Sequence, residues 1–324
     1  MTPRVSVVVP VRDGGEAFGR CLAGLARSRC RDFELIVVDD ASRDGSAAAA
    51  ARAGATVLAT PGPAGPAAAR NLGAAAAGGE WLLFLDADPG LDAVFGAYDE
   101  RPAAPDVVSC FRNLLHAWTH QRGAGPAETF WAGCGAVRRA PFLAAGGFDA
   151  GRYPRPSIED VELGFRLTAA GHRIRLVPEV QVTHHKRWTL ASMVATDVLR
   201  RALPWTALGR RRGTVGRTLN VDARGRWGAV AAWCLVAGLA VAPVAPRAGL
   251  ALALAAVLGL AGSHAALYRF LASRGGWRVG LAGPFLHLLY LLYASGAFAW
   301  GTLRPAGARR PAPAWTPPRP GEPR

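Results

Sequence analysis

The chain has 324 residues, 51% of them hydrophobic, and a formal net charge of +15. It is long enough for one sizeable core and an additional segment. The charge is almost all arginine and is unevenly spread, since ten Lys or Arg lie between Lys186 and Arg226 against Asp197 and Asp222. Because this basic cluster precedes a long apolar segment, anionic membrane lipids are favoured as its partner, and nucleic acid is not expected to bind.

Cysteine usage and the N-terminus narrow the class of protein further. The five cysteines are scattered and form no C-x-x-C pair. This argues against a zinc ribbon or a disulfide framework and fits a reducing compartment. The apolar run Val5–Val9 begins almost at once, and we expect it to be a first strand rather than a signal peptide.

Strand and helix signals alternate along the first half of the chain. Apolar and β-branched runs predict strands at residues 5–9, 33–38, 56–58 and 80–85, with Pro10 ending the first. Helical patterns lie at residues 17–26 and 66–77. The alternation predicts a mostly parallel sheet with helices on both faces. Further on, residues 173–177 and 180–182 resemble two strands separated by Pro178.

Acidic residues follow two of the predicted strands. Asp39 and Asp40 come after the second strand, and Asp86 and Asp88 come after the fourth. Ligands of parallel sheets bind beyond the carboxyl ends of the strands, so these residues and Pro10 are expected at one edge. Two carboxylates at that edge can hold a hard divalent cation together with substrate phosphates.

A second acidic pair, Glu159-Asp160, opens the helical stretch at residues 161–167. A carboxylate that is separate from the metal pair can serve as a general base. Metal-bound phosphate combined with a separate base indicates group transfer from a nucleotide-activated donor.

The last third of the chain changes in character. Three segments are almost uncharged and have about the 20 residues that a bilayer span needs; they lie at residues 227–244, 248–267 and 281–303. The basic loop at 268–278 is expected in the cytoplasm. A third full span would then place the basic tail outside, against the positive-inside rule. The last segment is therefore either a full span or a re-entrant or interfacial helix.

Six motifs together resemble the GT-A glycosyltransferases of family 2. They occupy residues 5–13, 33–46, 69–73, 85–88, 146–149 and 159–167, and the resemblance covers about residues 4–186. It implies an α/β GT-A fold, with a mostly parallel sheet sandwiched by helices, followed by C-terminal transmembrane helices.

The resemblance and the composition together predict four regions. Residues 1–186 are the GT-A domain, with a nucleotide-binding half at 1–90 and an acceptor half at 91–186. A basic membrane-interface segment follows at 187–226, then transmembrane helices at 227–303. A Pro- and Arg-rich tail at 304–324 is expected to be disordered.

The family assigns nucleotide contacts to five matched positions. Pro10 and Arg12 would line the nucleoside pocket, and Asp40 would hydrogen-bond the base, commonly uracil. Asp39 would orient the loop, although strand-end turn chemistry also explains both aspartates. Arg70 would face the nucleotide; the alternative is a solvated helix arginine.

The family assigns the metal to the carboxylates of residues 86–88. Asp88 would bind Mg²⁺ or Mn²⁺ directly, and Asp86 would contact the ribose or the metal. One of His184 and His185 could add a ligand, because adjacent strand residues face opposite sides; His184 is the candidate, with a structural role as the alternative.

The family assigns catalysis to the second acidic pair. Asp160 would be the general base. Glu159 is placed beside it in the catalytic pair, and it is also the better candidate for an acid stabilised by a helix N-terminus.

Two departures from the family pattern are visible. Asp13 stands where the family usually has Asn, which puts its role in question. The processive members carry Gln-x-x-Arg-Trp, whereas only Arg187-Trp188 is present here. Few predicted spans and the missing Gln argue against polymer synthesis.

The predicted protein is a membrane-anchored, metal-dependent inverting glycosyltransferase. It would move one sugar from an NDP-sugar, with UDP suggested by Asp40, to a hydroxyl of a lipid-linked or cell-envelope glycan. The catalytic domain would lie on the cytoplasmic face of the inner or plasma membrane, held there by several spans. A polyprenyl-phosphate glycosyltransferase and a non-catalytic glycan-binding scaffold are the alternatives.

Overall fold

The computed structural model describes residues 3–28, 30–83, 92–213 and 223–303. The chain forms two compact units. The described part of the first comprises residues 3–96 and 124–180, and that of the second comprises residues 97–123 and 181–303. This division differs from the linear one predicted above, because residues 97–123 group with the C-terminal region.

The helices and strands alternate as predicted in the first half. In chain order they are β1 Val5–Val11, α1 Gly15–Ala26, β2 Phe33–Asp39, α2 Ser46–Arg52, β3 Thr56–Ala59, α3 Pro66–Ala76, β4 Trp81–Leu83, β5 Ala93–Tyr98, α4 Val107–Gln121, β6 Gly125–Ala127, β7 Gly135–Arg138, α5 Arg139–Ala144, α6 Glu159–Ala169, β8 Ile174–Val182, α7 Leu190–Ala195, a π-helix Thr196–Ala202, α8 Leu203–Arg212, α9 Ala223–Val241, α10 Pro246–Ser263 and α11 Ala265–Leu303.

The strands form one mixed sheet in the order β3-β2-β1-β4-β7-β5-β8-β6. β1 pairs in parallel with β2 and β4, and β2 pairs in parallel with β3. β7 is antiparallel to β4 and β5, and β6 is antiparallel to β8. The register aligns Val11 with Asp39 and Asp39 with Ala59. The carboxyl ends of β1, β2 and β3 therefore meet at one edge, as predicted.

Two proline predictions were wrong. Pro10 lies inside β1, which continues to Val11, and Pro178 lies inside an unbroken β8. A proline removes one N–H donor and fixes φ near an extended value, so it interrupts a strand only where that donor is needed. Pro178 lies beyond residues 174–176, through which β8 pairs with β6.

The core of the first unit is built from β-branched strand residues and small helix residues. Val37 of β2 is fully buried and packs with Phe18 and Leu22, which are four residues apart on one face of α1. Helix α3 approaches the sheet more closely, because a Cβ at Gly73 would lie 2.4 Å from Val8 Cγ1. Helix α3 can thus contact β1 directly only because the face that it turns to the sheet is rich in alanine and glycine.

The core of the second unit joins α4 to the C-terminal helices. Phe111 and Leu114 of α4 are fully buried against Leu267 and Leu271 of α11. Each buried leucine or phenylalanine contributes about 1.5–3 kcal/mol. This packing is the reason that α4 belongs to the second unit although its sequence lies between two segments of the first.

Helix α11 reverses direction at Gly276, where φ is 74° and ψ is −178°. Residues 265–275 and 277–303 are therefore two helices. They lie side by side, because a Cβ at Gly280 would be 2.8 Å from Ala272 Cβ and one at Gly283 would be 3.0 Å from Leu271 Cδ1. Glycine is required at position 276 since a side chain disfavours this backbone conformation.

Two of the described helices are long and apolar enough to cross a membrane, namely α10 and α11. Only 22% of the apolar window in each is buried within the protein. Large apolar side chains point outward, for example Leu303 (82% exposed) and Phe285 (70%). Helix α9 is not one of the two, because Arg224 and Arg226 in its first turn lower its mean hydropathy. The predicted number of spans stays a prediction.

Candidate active site

The loops that follow β1 and β2 are joined by hydrogen bonds. The Asp13 amide donates to Ser42 Oγ (3.0 Å), and Asp13 Oδ1 accepts from the Arg43 amide (2.6 Å). The Gly15 amide donates to Asp44 Oδ2 (2.9 Å). Hydrogen bonds from the Ser46 side chain and then from the Gly15 amide lower the pKa of the exposed Asp44 carboxyl. Asp13 therefore has a structural role here, which the sequence left open.

Asp40 organises the loop that follows β3. Its carboxylate is 4% exposed and accepts from Thr60 Oγ1 (2.9 Å), the Ala64 amide (2.7 Å) and the Gly65 amide (2.9 Å). Asp39 Oδ1 accepts from the Ser42 amide (3.1 Å). Both aspartates thus fix loops at the edge of the sheet. Their predicted contacts with the nucleotide remain predictions.

Pro10 and Arg12 lie at the same edge. Pro10 is half-buried near the end of β1, and Arg12 is exposed two residues later. An exposed arginine at the carboxyl end of a central strand can reach a ligand bound there. The placement agrees with the predicted pocket, and the contact itself remains a prediction.

Asn71 of α3 clasps the backbone of Phe148. Its amide nitrogen donates to the Phe148 carbonyl (2.8 Å), and its side-chain oxygen accepts from the Phe148 amide (2.9 Å). The two preceding residues, Gly146 and Gly147, have φ of 78° and 64°, which favours glycine. The clasp brings two of the family motifs, at residues 69–73 and 146–149, into contact.

Arg70 is directed at the second acidic pair. Its guanidinium lies 5.6 Å from the centre of the Phe148 ring, and Nη1 is 3.4 Å from Glu159 Oε1. Its side chain is only 16% exposed, so it is not a solvated helix arginine. Among the described residues, no partner reaches its buried Nε.

Asp160 occupies the first turn of α6. Oδ2 accepts from the Ala132 amide (3.0 Å) and Oδ1 accepts from the Val161 amide (2.8 Å). Burial, and after it the negative charge of Glu159, raises the pKa of Asp160 to about 6. Glu159 is itself held by Arg70 and by the Ser157 amide (2.8 Å). Asp160 is thereby the carboxylate of the pair that can exchange a proton near neutral pH.

Helix α6 is positioned by a close backbone contact and an arginine. A Cβ at Gly164 would lie 2.2 Å from the Phe130 amide nitrogen, so the helix rests on the segment that supplies the Ala132 amide. Arg166 pairs with Glu162 (2.8 Å) and donates to the Gly147 carbonyl (2.7 Å). Gly164 and Arg166 belong to the motif at residues 159–167, but their roles become visible only in the structure.

His184 lies in the second unit, where its ring stacks on Tyr98 with centroids 4.3 Å apart. His184 Nδ1 is 2.6 Å from Asn113 Oδ1, which also accepts from Trp188 Nε1 (3.3 Å). Because the indole is only a donor, the shared atom is an acceptor and Nδ1 must carry a proton. Nε2 then keeps the lone pair that a metal ligand needs.

The charge state of His184 suits the same role. Burial, followed by the positive charges of Lys186 and Arg112, lowers the pKa of His184 to about 3. Its neighbour His185 is exposed. The predicted carboxylate ligands Asp86 and Asp88 lie outside the described residues. Within the described ranges, no three His, Cys, Asp or Glu side chains are grouped to hold a metal.

Comparison with known proteins gives a family match over part of the chain. Residues 6–89 match the family described as Glycosyl transferase family 2. A pre-mycofactocin glycosyltransferase of Mycobacterium tuberculosis (strain H37Rv) is 32% identical over 217 residues, which cover 59% of this chain and 44% of that protein. A TPR repeat-containing protein of Synechococcus elongatus is 46% identical over 85 residues, which cover 26% of this chain and 20% of that protein. The chain thus spans less than half the length of these curated relatives.

The fold has a solved counterpart. The mannosyltransferase PcManGT from Pyrobaculum calidifontis, solved with GDP-Man and Mn²⁺, superimposes with a TM-score of 0.54 at 20% identity, covering 93% of this chain and 88% of that one. The predicted GT-A fold is confirmed, and residues 6–89 are similar to glycosyl transferase family 2. The matched family and the pre-mycofactocin relative are both described as glycosyltransferases.

Proposed function

We propose that this protein is a membrane-anchored inverting glycosyltransferase in which Asp160 is the general base. The observation that carries the proposal is the pair formed by buried Glu159 and half-buried Asp160, in which Asp160 has a pKa raised to about 6. A carboxylate with such a pKa is largely ionised at neutral pH and basic enough to accept the proton of an attacking hydroxyl. A binding module has no use for a carboxylate held in this state.

The donor would be an NDP-sugar bound at the edge formed by β1, β2 and β3. Arg12 is exposed there, and Asp39 and Asp40 hold the surrounding loops. PcManGT was solved with GDP-Man, so the base is not restricted to the uracil that Asp40 suggested. We retain a nucleotide sugar as the donor class.

A divalent cation, Mg²⁺ or Mn²⁺, is part of the proposal. Asp86, Asp88 and His184 would hold it, and the tautomer of His184 fits this use. The bound cation would neutralise the diphosphate leaving group. Arg70 has a role other than metal binding. It balances the charge of Glu159 and so leaves Asp160 as the base.

The membrane anchor is proposed from the second unit. Helices α10 and α11 expose most of their apolar surface, and outward-facing Leu and Phe side chains are stabilised by lipid rather than by water. A glycan acceptor attached to a lipid or to the cell envelope would be within reach of an enzyme anchored in this way. Basic residues before α9 favour a cytoplasmic catalytic domain.

The alternatives differ in what they require of Asp160. A polyprenyl-phosphate acceptor is already ionised and needs no strong base, whereas a hydroxyl acceptor does. A scaffold that binds glycans needs neither a base nor a metal pair. The raised pKa of Asp160 therefore favours a hydroxyl acceptor.

The test measures release of nucleoside diphosphate from a panel of NDP-sugars with Mn²⁺. Detergent-purified full-length protein is given membrane lipid extract as acceptor. We expect release with one donor, its loss in Asp88→Ala, and a loss of about 10²–10⁴-fold in Asp160→Asn with NDP binding retained by calorimetry. Glu16→Gln, which removes an exposed carboxylate, is the control and should keep full turnover.

Other outcomes would overturn parts of the proposal. Substantial turnover of Asp160→Asn with a lipid phosphate acceptor would favour the polyprenyl-phosphate alternative. No release from any donor, together with no NDP binding, would exclude the enzyme and leave the scaffold.

A further inference from the structure

The second unit contains few acidic groups to balance its basic residues. Among its described residues the acidic side chains are Asp99, Glu100, Asp106 and Asp197. Three of them have local partners: Asp99 accepts from Thr183, Glu100 pairs with Arg274, and Asp106 caps α4. Asp197 is thus the carboxylate that contacts the buried basic groups.

Two arginines converge on Asp197, which is 2% exposed. Arg112 Nη2 lies 2.7 Å from Asp197 Oδ1, and Arg201 Nη1 lies 3.7 Å from the same oxygen. The Tyr293 hydroxyl donates to Oδ2 at 2.8 Å. Arg112 forms the floor of the cluster with a side chain 6% exposed, whereas the Arg201 side chain is 39% exposed at its rim.

A third cation, Lys186, completes the cluster. Its Nζ lies 3.8 Å from the centre of the Trp188 ring, and the Arg112 guanidinium lies 5.8 Å from the same ring. Within the part of the chain that the structure describes, Arg112 and Arg201 therefore share one carboxylate, and Lys186 adds a further positive charge beside them, so positive charge is in excess.

Buried donors in the cluster also lack acceptors. Among the described residues no partner reaches Arg112 Nε or Asn113 Nδ2, and these residues are only 5% and 2% exposed. A buried donor without an acceptor is costly unless a ligand or water supplies one. An anion with several oxygens would satisfy both the charge and the donors.

We propose that the cationic cluster, defined by Arg112, Lys186 and Arg201, binds a phosphate group of a ligand. A phosphate monoester or diphosphate carries the charge that the cluster lacks, and its oxygens accept several charge-assisted hydrogen bonds. Arg201 and Lys186 reach it from the open side, and Arg112 supports it from below. The inference rests on the proposed function, in which either the donor diphosphate or a lipid phosphate on the acceptor supplies this group.

The test measures binding of phosphate probes to the full-length protein in phosphatidylcholine nanodiscs. UDP and GDP with Mg²⁺ represent the donor, and farnesyl phosphate, with farnesol as its uncharged analogue, represents a lipid phosphate. The variants are Arg201→Gln and Lys186→Gln. Arg211→Gln removes an exposed arginine of α8 and is the control for net charge.

We expect both cluster variants to weaken one phosphate probe about tenfold or more, as for a lost charge-assisted contact, with Arg211→Gln within about twofold of the wild type. Weakened UDP or GDP binding assigns the cluster to the donor diphosphate, and weakened farnesyl phosphate binding with unchanged farnesol binding assigns it to a lipid phosphate. Thermal unfolding of each variant shows that it is folded.

Two results would overturn the inference. One is unchanged affinity of both folded cluster variants for every probe. The other is equal weakening by Arg211→Gln, which would indicate general surface electrostatics. Because this experiment measures binding, the inference and the proposed function can fail separately. If the protein transfers sugar but the cluster variants bind phosphate as the wild type does, only this inference is refuted. If the variants alter phosphate binding but the protein transfers no sugar, only the proposed enzyme activity is refuted.

Discussion

The two units contain buried ionic clusters of opposite composition. Among the described residues of the first unit, Glu159 and Asp160 share one cation, Arg70. Among those of the second, Arg112 and Arg201 share one carboxylate, Asp197. Each cluster is therefore left with unbalanced charge of one sign, negative in the first and positive in the second.

The difference shows how unbalanced charge selects a ligand. Excess negative charge in a buried site is relieved by a proton, so the pKa of Asp160 rises. Excess positive charge on arginines cannot be relieved by losing a proton, because a guanidinium stays protonated. That cluster needs an anion instead. One site is thus suited to proton transfer and the other to phosphate binding.

The largest expected effect on stability comes from the centre of the cationic cluster. Arg112→Gln leaves Asp197 buried with a more distant arginine, and removing one partner of a buried pair costs about 3–5 kcal/mol. Thermal unfolding in detergent measures the loss. Arg20→Gln breaks an exposed pair with Glu16 and should cost less than about 0.5 kcal/mol. Similar losses of stability in both variants would contradict the inference that burial makes the Arg112–Asp197 pair more important for stability than an exposed pair.

A substitution at Gly164 should displace the Glu159-Asp160 pair without changing its charges. In Gly164→Ala the new Cβ would lie 2.2 Å from the Phe130 amide nitrogen, so α6 must shift at a cost of about 2–3 kcal/mol. Turnover should fall as well, because Asp160 lies on the same helix. Gly19→Ala in α1, where nothing lies within 4 Å, should be neutral or slightly stabilising. Equal effects would show that α6 is not held by this contact.

Removing the excess negative charge should stabilise the protein in a pH-dependent way. Since the pKa of Asp160 is raised to about 6 from 3.8, the folded state loses stability as the pH rises between these values. Asp160→Asn should therefore raise stability above pH 6 by about 2 kcal/mol, with no gain below pH 4. Unfolding midpoints from pH 3.5 to 8 test this.

Asp44, in the same unit, provides a control in which the pKa shift has the opposite sign. Hydrogen bonds lower the pKa of Asp44, so its contribution is present at neutral pH and is lost as the pH falls through its folded pKa. Asp44→Asn should thus reduce stability at neutral pH, and the difference should vanish in acid. A stabilising Asp44→Asn would show that charge removal helps in general.

The smallest expected effect concerns backbone strain. Among the described residues, the non-glycine residues with positive φ are Asp13 (49°) and Ala41 (59°), and both lie in first-unit loops. Ala41→Gly should raise the free energy of unfolding by about 1 kcal/mol, because a left-handed conformation is costly for alanine. Ala49→Gly inside α2 should lower it by a similar amount. A destabilising Ala41→Gly would argue against strain at this turn.

The sequence predicted the features that depend on local pattern. Strand and helix alternation predicted the parallel sheet that β1, β2 and β3 form, and the acidic turn after β2 was placed at the correct edge. Proline was misjudged twice, since whether a strand needs the missing N–H depends on its neighbours. The grouping of α4 with α11 was not visible, because it depends on contacts such as that of Phe111 with Leu271.

The candidate site was predictable to a similar degree. The motif at residues 159–167 identified Asp160, and helical periodicity placed it at the start of α6. The raised pKa could not be read from the sequence, because it depends on burial and on the Ala132 amide, which lies 28 residues away. The role of Asn71 was equally hidden, since its partner Phe148 is 77 residues distant.

By itself, the sequence determined the resemblance to family 2, the alternating elements, the acidic motifs and the apolar C-terminal segments, because each depends on residues that are close together in the chain. Only the tertiary structure decided which charges meet. Arg112 and Asp197 are 85 residues apart, and Arg70 and Glu159 are 89 apart. Distant charges interact strongly only when folding brings them together and removes water from between them.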